Sequence, residues 1–136
     1  MKHNLVATML LLFSAAVAVN AQNVTAERPM KVRVSYQALD TFAVKKVLPS
    51  TPCSNEANHE EGTVRIAVLV DSDGTIKTAR RDSGDPVLAD CAIAAIRQWQ
   101  FRPYILNNTP VQIESSIVVK FSKGRSEVVP GNTDNR

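Results

Sequence analysis

The chain has 136 residues, with 16 lysines and arginines against 13 aspartates and glutamates, a net charge of +3, and 44% apolar residues. That length supports a single core-forming domain. Nucleic acid is excluded as a partner class, because cations cluster only as Lys45-Lys46 and Arg80-Arg81 and aromatics, at 5%, are too few to stack bases.

Lys2 precedes an apolar run from Leu5 to Val19, interrupted by Thr8 and Ser14, that ends at Val19-Asn20-Ala21. A charged start, a short apolar stretch and a small residue at the cut predict a cleavable secretory signal over residues 1–21. A membrane helix needs about 20 apolar residues, and this run is shorter. The expected mature chain, Gln22 to Arg136, has 115 residues and does not span a membrane. Cys53 and Cys91 both lie in that part, so an oxidising compartment predicts one disulfide between them, two buried free thiols being the alternative.

Residues 22–30 are polar and aperiodic, a lead-in. Lys31 to Tyr36 alternates Val32, Val34 and Tyr36 with polar residues and reads as a short strand. Ala38 to Val47 reads as a helical turn or an extended arm, and Pro49 and Pro52 bar regular structure up to Cys53. Ser54 to Gly62 is an acidic loop. Thr63 to Val70 alternates, with Val64, Ile66, Val68 and Val70 on one face, and Asp71-Ser72-Asp73-Gly74 is turn chemistry, so with Thr75 to Ala79 the segment predicts a β-hairpin.

Asp85 and Pro86 suit an N-cap and a first helical position, and Leu88, Cys91, Ala92, Ala95, Ile96 and Trp99 recur at three- and four-residue steps. A helix to about Gln100 follows, stopped by Pro103. Asn107-Asn108-Thr109-Pro110 predicts a turn, and Val111 to Phe121 alternates over eleven residues without Pro or Gly, the longest strand. The tail 123–136 is expected loose, with Glu127-Val128-Val129 a brief pairing segment.

The predicted fold class is α+β: a small antiparallel sheet from a β-β-α-β core, in the order second, first, last strand, with the helix on one face. Residues 22–61 form an arm, 62–122 the domain proper. The last strand stands at an edge unless the Lys31 to Tyr36 strand or the tail covers it.

Catalytic chemistry finds little support. His59 is the one histidine outside the signal, it lies in an acidic loop and reads as solvated, and no Gly-x-Ser-x-Gly elbow is present. Cys53, His59, Glu60 and Glu61 lack the spacing of a zinc site. Asp71-Ser72-Asp73-Gly74 lacks the closing glutamate of a calcium loop, and Asp82 and Asp85 read as turn and cap. No enzyme activity, cofactor or metal is expected.

The order of these elements, with Gly62-Thr63-Val64, the Asp71-Ser72-Asp73-Gly74-Thr75 turn, Asp82-Ser83-Gly84-Asp85, Leu88-x-x-Cys91-Ala92-x-x-Ala95-Ile96, Trp99-x-Phe101-x-Pro103 and Asn108-x-Pro110-Val111, resembles the TonB C-terminal domain family, and more distantly that of TolA. The resemblance covers Gly62 to Phe121. It implies a periplasmic, Gram-negative protein-binding domain linked to TonB-dependent transport, gripping a segment of an outer-membrane receptor by strand addition at the last strand. The partner-binding residues so implied are Val111, Gln112, Ile113, Glu114, Ser115, Ser116, Ile117, Val118, Val119 and Lys120. Gln112, Glu114, Ser116, Val118 and Lys120 are expected to face away from the helix.

The membrane helix and Pro-rich spacer of the family's energy transducers are not recognised in this sequence, so it is not expected to transmit force alone. Leu48-Pro49 stands where the family has a Tyr-Pro motif. Cys91, where the family commonly has alanine, fits a bridge to the altered loop. The alternatives are a structural envelope protein that self-pairs as a homodimer through the same edge, and a small-ligand-binding protein.

Overall fold

A computed structural model describes residues 28–55 and 59–131. The expected signal over 1–21 lies outside the described residues.

Strands β1 (Lys31–Arg33), β3 (Gly62–Val70), β4 (Ile76–Ser83), β6 (Tyr104–Leu106), β7 (Thr109–Ser122) and β8 (Arg125–Val129) form a six-stranded sheet along the path β1-β7-β3-β4, with β6 and β8 also paired to β7. Among the described residues, two α-helices, α1 (Tyr36–Asp40) and α2 (Pro86–Ile96), and a two-stranded ribbon of β2 (Ala43–Lys45) with β5 (Gln100–Phe101) accompany the sheet. The sheet is larger than the small antiparallel one expected from sequence, and it is mixed, because β1 runs parallel to β7.

Periodicity builds the centre. Along β3, Val64, Ile66, Val68 and Val70 are buried and their neighbours are not, so one face turns inward at every second residue. β7 repeats this with Val111, Ile113, Ser115, Ile117, Val119 and Phe121, and the two strands hold an unbroken antiparallel register from Gly62 opposite Phe121 to Val70 opposite Ile113. Helix α2 lays Leu88, Ala89, Ala92, Ala95 and Ile96 on this face. The three alanines on that face let the backbone approach the sheet closely.

The helix ends at Ile96, four residues before the expected end at Gln100. Gln98 and Trp99 bond back only three residues, to Ala95 and Ile96, and that tighter turn swings Trp99 inward. Its indole is 1% exposed, and Nε1–H donates to the Val47 carbonyl at 2.7 Å. The arm is thereby tied over the core. Leu39 of α1 is wholly buried in the same layer, so the arm is a structural part of the domain.

At the tight Asp71–Gly74 turn, glycine is required: Gly74 has φ +90°, and a Cβ there would lie 1.9 Å from the Phe101 carbonyl oxygen. The later turn is shorter than expected. Only Asn107 and Asn108 form it, both at positive φ as a two-residue hairpin demands, and Pro110 belongs to β7 opposite Ile105. In the tail, Glu127-Val128-Val129 pairs as expected, and the strand β8 begins two residues earlier, at Arg125.

Candidate functional site

In β7 each residue turns both its main-chain groups to the same side. Gln112 N–H donates to Met30 and Glu114 C=O accepts from Val34, so even-numbered residues face away from β3. This outer side presents the main-chain groups to which a further strand can be added. The chain itself fills most of it: β1 pairs with Gln112, Ile113 and Glu114, and β8 pairs with Val118 through Ser122.

The two segments named as possible covers, the Lys31 strand and the tail, both pair with β7, so among the described residues the edge over Val111 to Phe121 is reduced to Ser115, Ser116 and Ile117, in the gap between β1 and β8. Ser116 is the one whose main-chain groups point outward there. The physical reason is simple: a 14-residue strand with unsatisfied groups on one side is a template, and short segments from both ends of the domain pair with it.

The side chains sort as alternation requires. Val111, Ile113, Ser115, Ile117 and Val119 turn toward α2 and are buried, while Gln112, Glu114, Ser116, Val118 and Lys120 turn to the other face. Two of the latter are not exposed. Gln112 is 1% exposed and donates to Asp71 at 2.9 Å, which holds the Asp71 carboxyl below its ordinary range, and Val118 meets Gly131 beyond β8. Buried Ser115 donates its hydroxyl to the Val34 carbonyl at 2.9 Å, fixing the exit of β1. Lys31 and Arg33 of β1 both reach Glu114, at 3.9 and 3.5 Å.

The two covering strands differ in how firmly they are held. β1 runs directly into α1, whose Leu39 is locked in the core, and Ser35 caps that helix by accepting from Ala38 N–H. β8 hangs on the Lys123-Gly124 turn, with Gly124 at φ +68°, and Ser126 donates to the Pro49 carbonyl at 2.9 Å. No tie of the α1 kind is found beyond β8 among the described residues.

The remaining candidates lie away from this edge. Cys53 and Cys91 are bonded, joining the segment before β3 to the middle of α2 across a sequence separation of 38. His59, expected to be solvated, is instead packed at the start of α2 with Nδ1 3.0 Å from Asp85. Among the described residues no group of three or more metal-ligating side chains assembles.

Asp85 itself caps α2, accepting from Val87 N–H at 2.8 Å and Leu88 N–H at 3.1 Å. The Leu88 bond first, the Val87 bond and the neighbouring His59 lower its pKa below the ordinary 3.8. A depressed carboxyl adds stability above the unfolded-state pKa, and that contribution is lost as pH falls through the folded value. Asp85→Asn should therefore be less stable than the parent at pH 7, with the gap narrowing as the pH is lowered through the carboxylate range. Urea midpoints at several pH values check this, and a pH-independent gap would contradict it.

The elements around this site recur in known proteins. Residues 49–122 match the family model described as the Gram-negative bacterial TonB protein C-terminal. The chain is also 35% identical over 78 residues to Protein TonB of Vibrio cholerae serotype O1 (strain ATCC 39315 / El Tor Inaba N16961), an alignment covering 56% of this chain and 32% of that protein. The match thus spans about a third of that relative's length. Since the family match takes in the loop before β3, the hairpin, α2 and the whole of β7, this chain belongs to the family of Gram-negative bacterial TonB C-terminal domains.

Proposed function

We propose that this domain is a periplasmic protein-binding module, allied to TonB-dependent transport, that takes an extended segment of an outer-membrane receptor onto the outer side of β7 in place of β8. The observation that carries the reading is the make-up of that side. The inner ladder with β3 is continuous, whereas the outer side is met by two short strands separated at Ser116. An incoming strand starting at Ser116 recovers the main-chain bonds that β8 gives up, so the exchange is nearly balanced in hydrogen bonds and is decided by side chains. β8, whose Val128 packs only partly buried against the core and which has no wholly buried anchor like Leu39 among the described residues, is the strand that yields.

Replacing a residue by proline tests this, if the residue is chosen by the direction of its N–H. Ile117 is wholly buried with its main-chain groups toward β3, so proline there would damage the core. Ser116 turns its N–H outward, where the β3 ladder does not use it. Ser116→Pro should leave the far-UV circular dichroism unchanged and weaken binding of synthetic peptides from periplasm-facing receptor segments by about tenfold or more. Unchanged affinity in a folded variant would move the site elsewhere.

A further inference from the structure

Among the described residues, no second layer covers the face of the sheet opposite α2. That face opens into a cleft of about 690 Å³, floored by Ala67 and Leu69, with Ser116 at its side. Four cations line it, Lys31, Arg33, Arg65 and Arg80, against two carboxylates, Glu114 and Asp82. Glu114 is already shared by Lys31 and Arg33. Among the described residues neither Arg65 nor Arg80 has an ion pair or a side-chain hydrogen bond, although both lie on the same face of adjacent strands.

Arg65 is half-buried in the middle of β3, between the Val118 and Ser83 positions, where a guanidinium loses part of its hydration. Arg80 stands one pairing step away, opposite Ala67. Guanidinium groups offer forked donors that match carboxylates, and two of them unmatched in one concave surface form an electrostatic site without its counter-charge. Apolar residues on the floor and outward main-chain groups of Ser116 at the side suit a polypeptide.

We propose that this open face docks an acidic, extended segment of a partner protein, with its carboxylates on Arg65 and Arg80. The inference rests on reading the domain as a protein-binding module and adds the chemistry of what it binds. Asp82 at the rim and the paired Glu114 leave the net attraction centred on the two arginines.

The test uses two fluorescent peptides of about ten residues, a length that spans the sheet at strand rise: one alternates Thr and Glu, its twin alternates Thr and Gln. The Glu peptide should bind the parent protein about tenfold or more tighter than the twin, with the difference shrinking as salt rises from about 50 to 300 mM. The double variant Arg65→Gln/Arg80→Gln should keep its melting temperature and lose the preference. Equal binding of the two peptides overturns the proposal, as does failure of the Glu peptide to bind the parent, and so does a preference that survives in the double variant. Ser116→Pro separates the two readings. Loss of receptor-peptide binding there alongside equal affinity for Glu and Gln peptides leaves the edge standing without the acidic face. A retained Glu preference with unaltered receptor-peptide binding leaves the face standing without the edge.

Discussion

Reduction of the Cys53–Cys91 bridge is expected to lower the free energy of unfolding by about 4 kcal/mol, and with it the melting temperature by about 15 °C. The bridge closes a loop with a sequence separation of 38 that contains the whole β3–β4 hairpin and the start of α2. Opening that loop returns conformational freedom to the unfolded chain, which is where most of the effect arises in the chain-entropy picture. A domain of this size has only about 5–15 kcal/mol in total, so the loss is a large fraction. The double variant Cys53→Ala/Cys91→Ala should show the same drop in a urea titration and be insensitive to reductant. Mass spectrometry without reductant should recover a peptide linking the two cysteines; free thiols in exported protein, or a melting temperature unmoved by reduction, would contradict the account.

Trp99→Ala should destabilise the domain by a comparable amount, about 4 kcal/mol. The indole is the largest fully buried side chain, it sits against Phe101 with ring centroids 6.2 Å apart, and its N–H holds the Val47 carbonyl. Truncation leaves a cavity between α2 and the arm and strips that carbonyl of its partner, two costs that add. Trp99→Phe keeps much of the volume and loses the hydrogen bond, so it should fall between the parent and the alanine variant. Equilibrium denaturation followed by circular dichroism gives all three values. A Phe variant as unstable as the Ala variant would mean that the hydrogen bond to the arm, and hardly the packing, sets the stability.

What was legible in the sequence is what local periodicity controls. The inward alternation of β3 and β7, the Asp71–Gly74 turn and the Asp85-Pro86 opening of α2 each rest on neighbours within a few residues, and the structure has them at those positions. β4 runs four residues past the expected end at Ala79, because Arg80 to Ser83 are exposed at the sheet margin and carry no apolar beat. At Ser35 the strand pattern of Val32, Val34 and Tyr36 gives way to a helix cap, and a five-residue helix is too short to register as a period.

The state of the outer edge of β7 was the least legible feature, although the proposed binding depends on it. β1 lies some 80 residues before its partner, and the bond from Ser115 to Val34 spans 81 positions. The alternation of Val32 and Val34 marks a strand, but pairing at that distance leaves no local mark of which strand it joins, because the covering strands need only present main-chain groups. β8 did leave a signal, the glycine of Lys123-Gly124 after a long strand, followed by Ser126 and Val128 turned inward. The contact between His59 and Asp85 likewise joins a loop to a cap 26 residues away, and an acidic loop sequence gives no hint of it.

Amide exchange at β8 tests the central claim most directly. In the free domain, two-dimensional NMR should show the amides of Arg125, Glu127 and Val129 protected by pairing with β7. Saturating receptor-segment peptide should make them exchange freely while the amides of Ser116, Val118 and Lys120 become or stay protected. Peptide bound with β8 still protected would contradict strand exchange on β7.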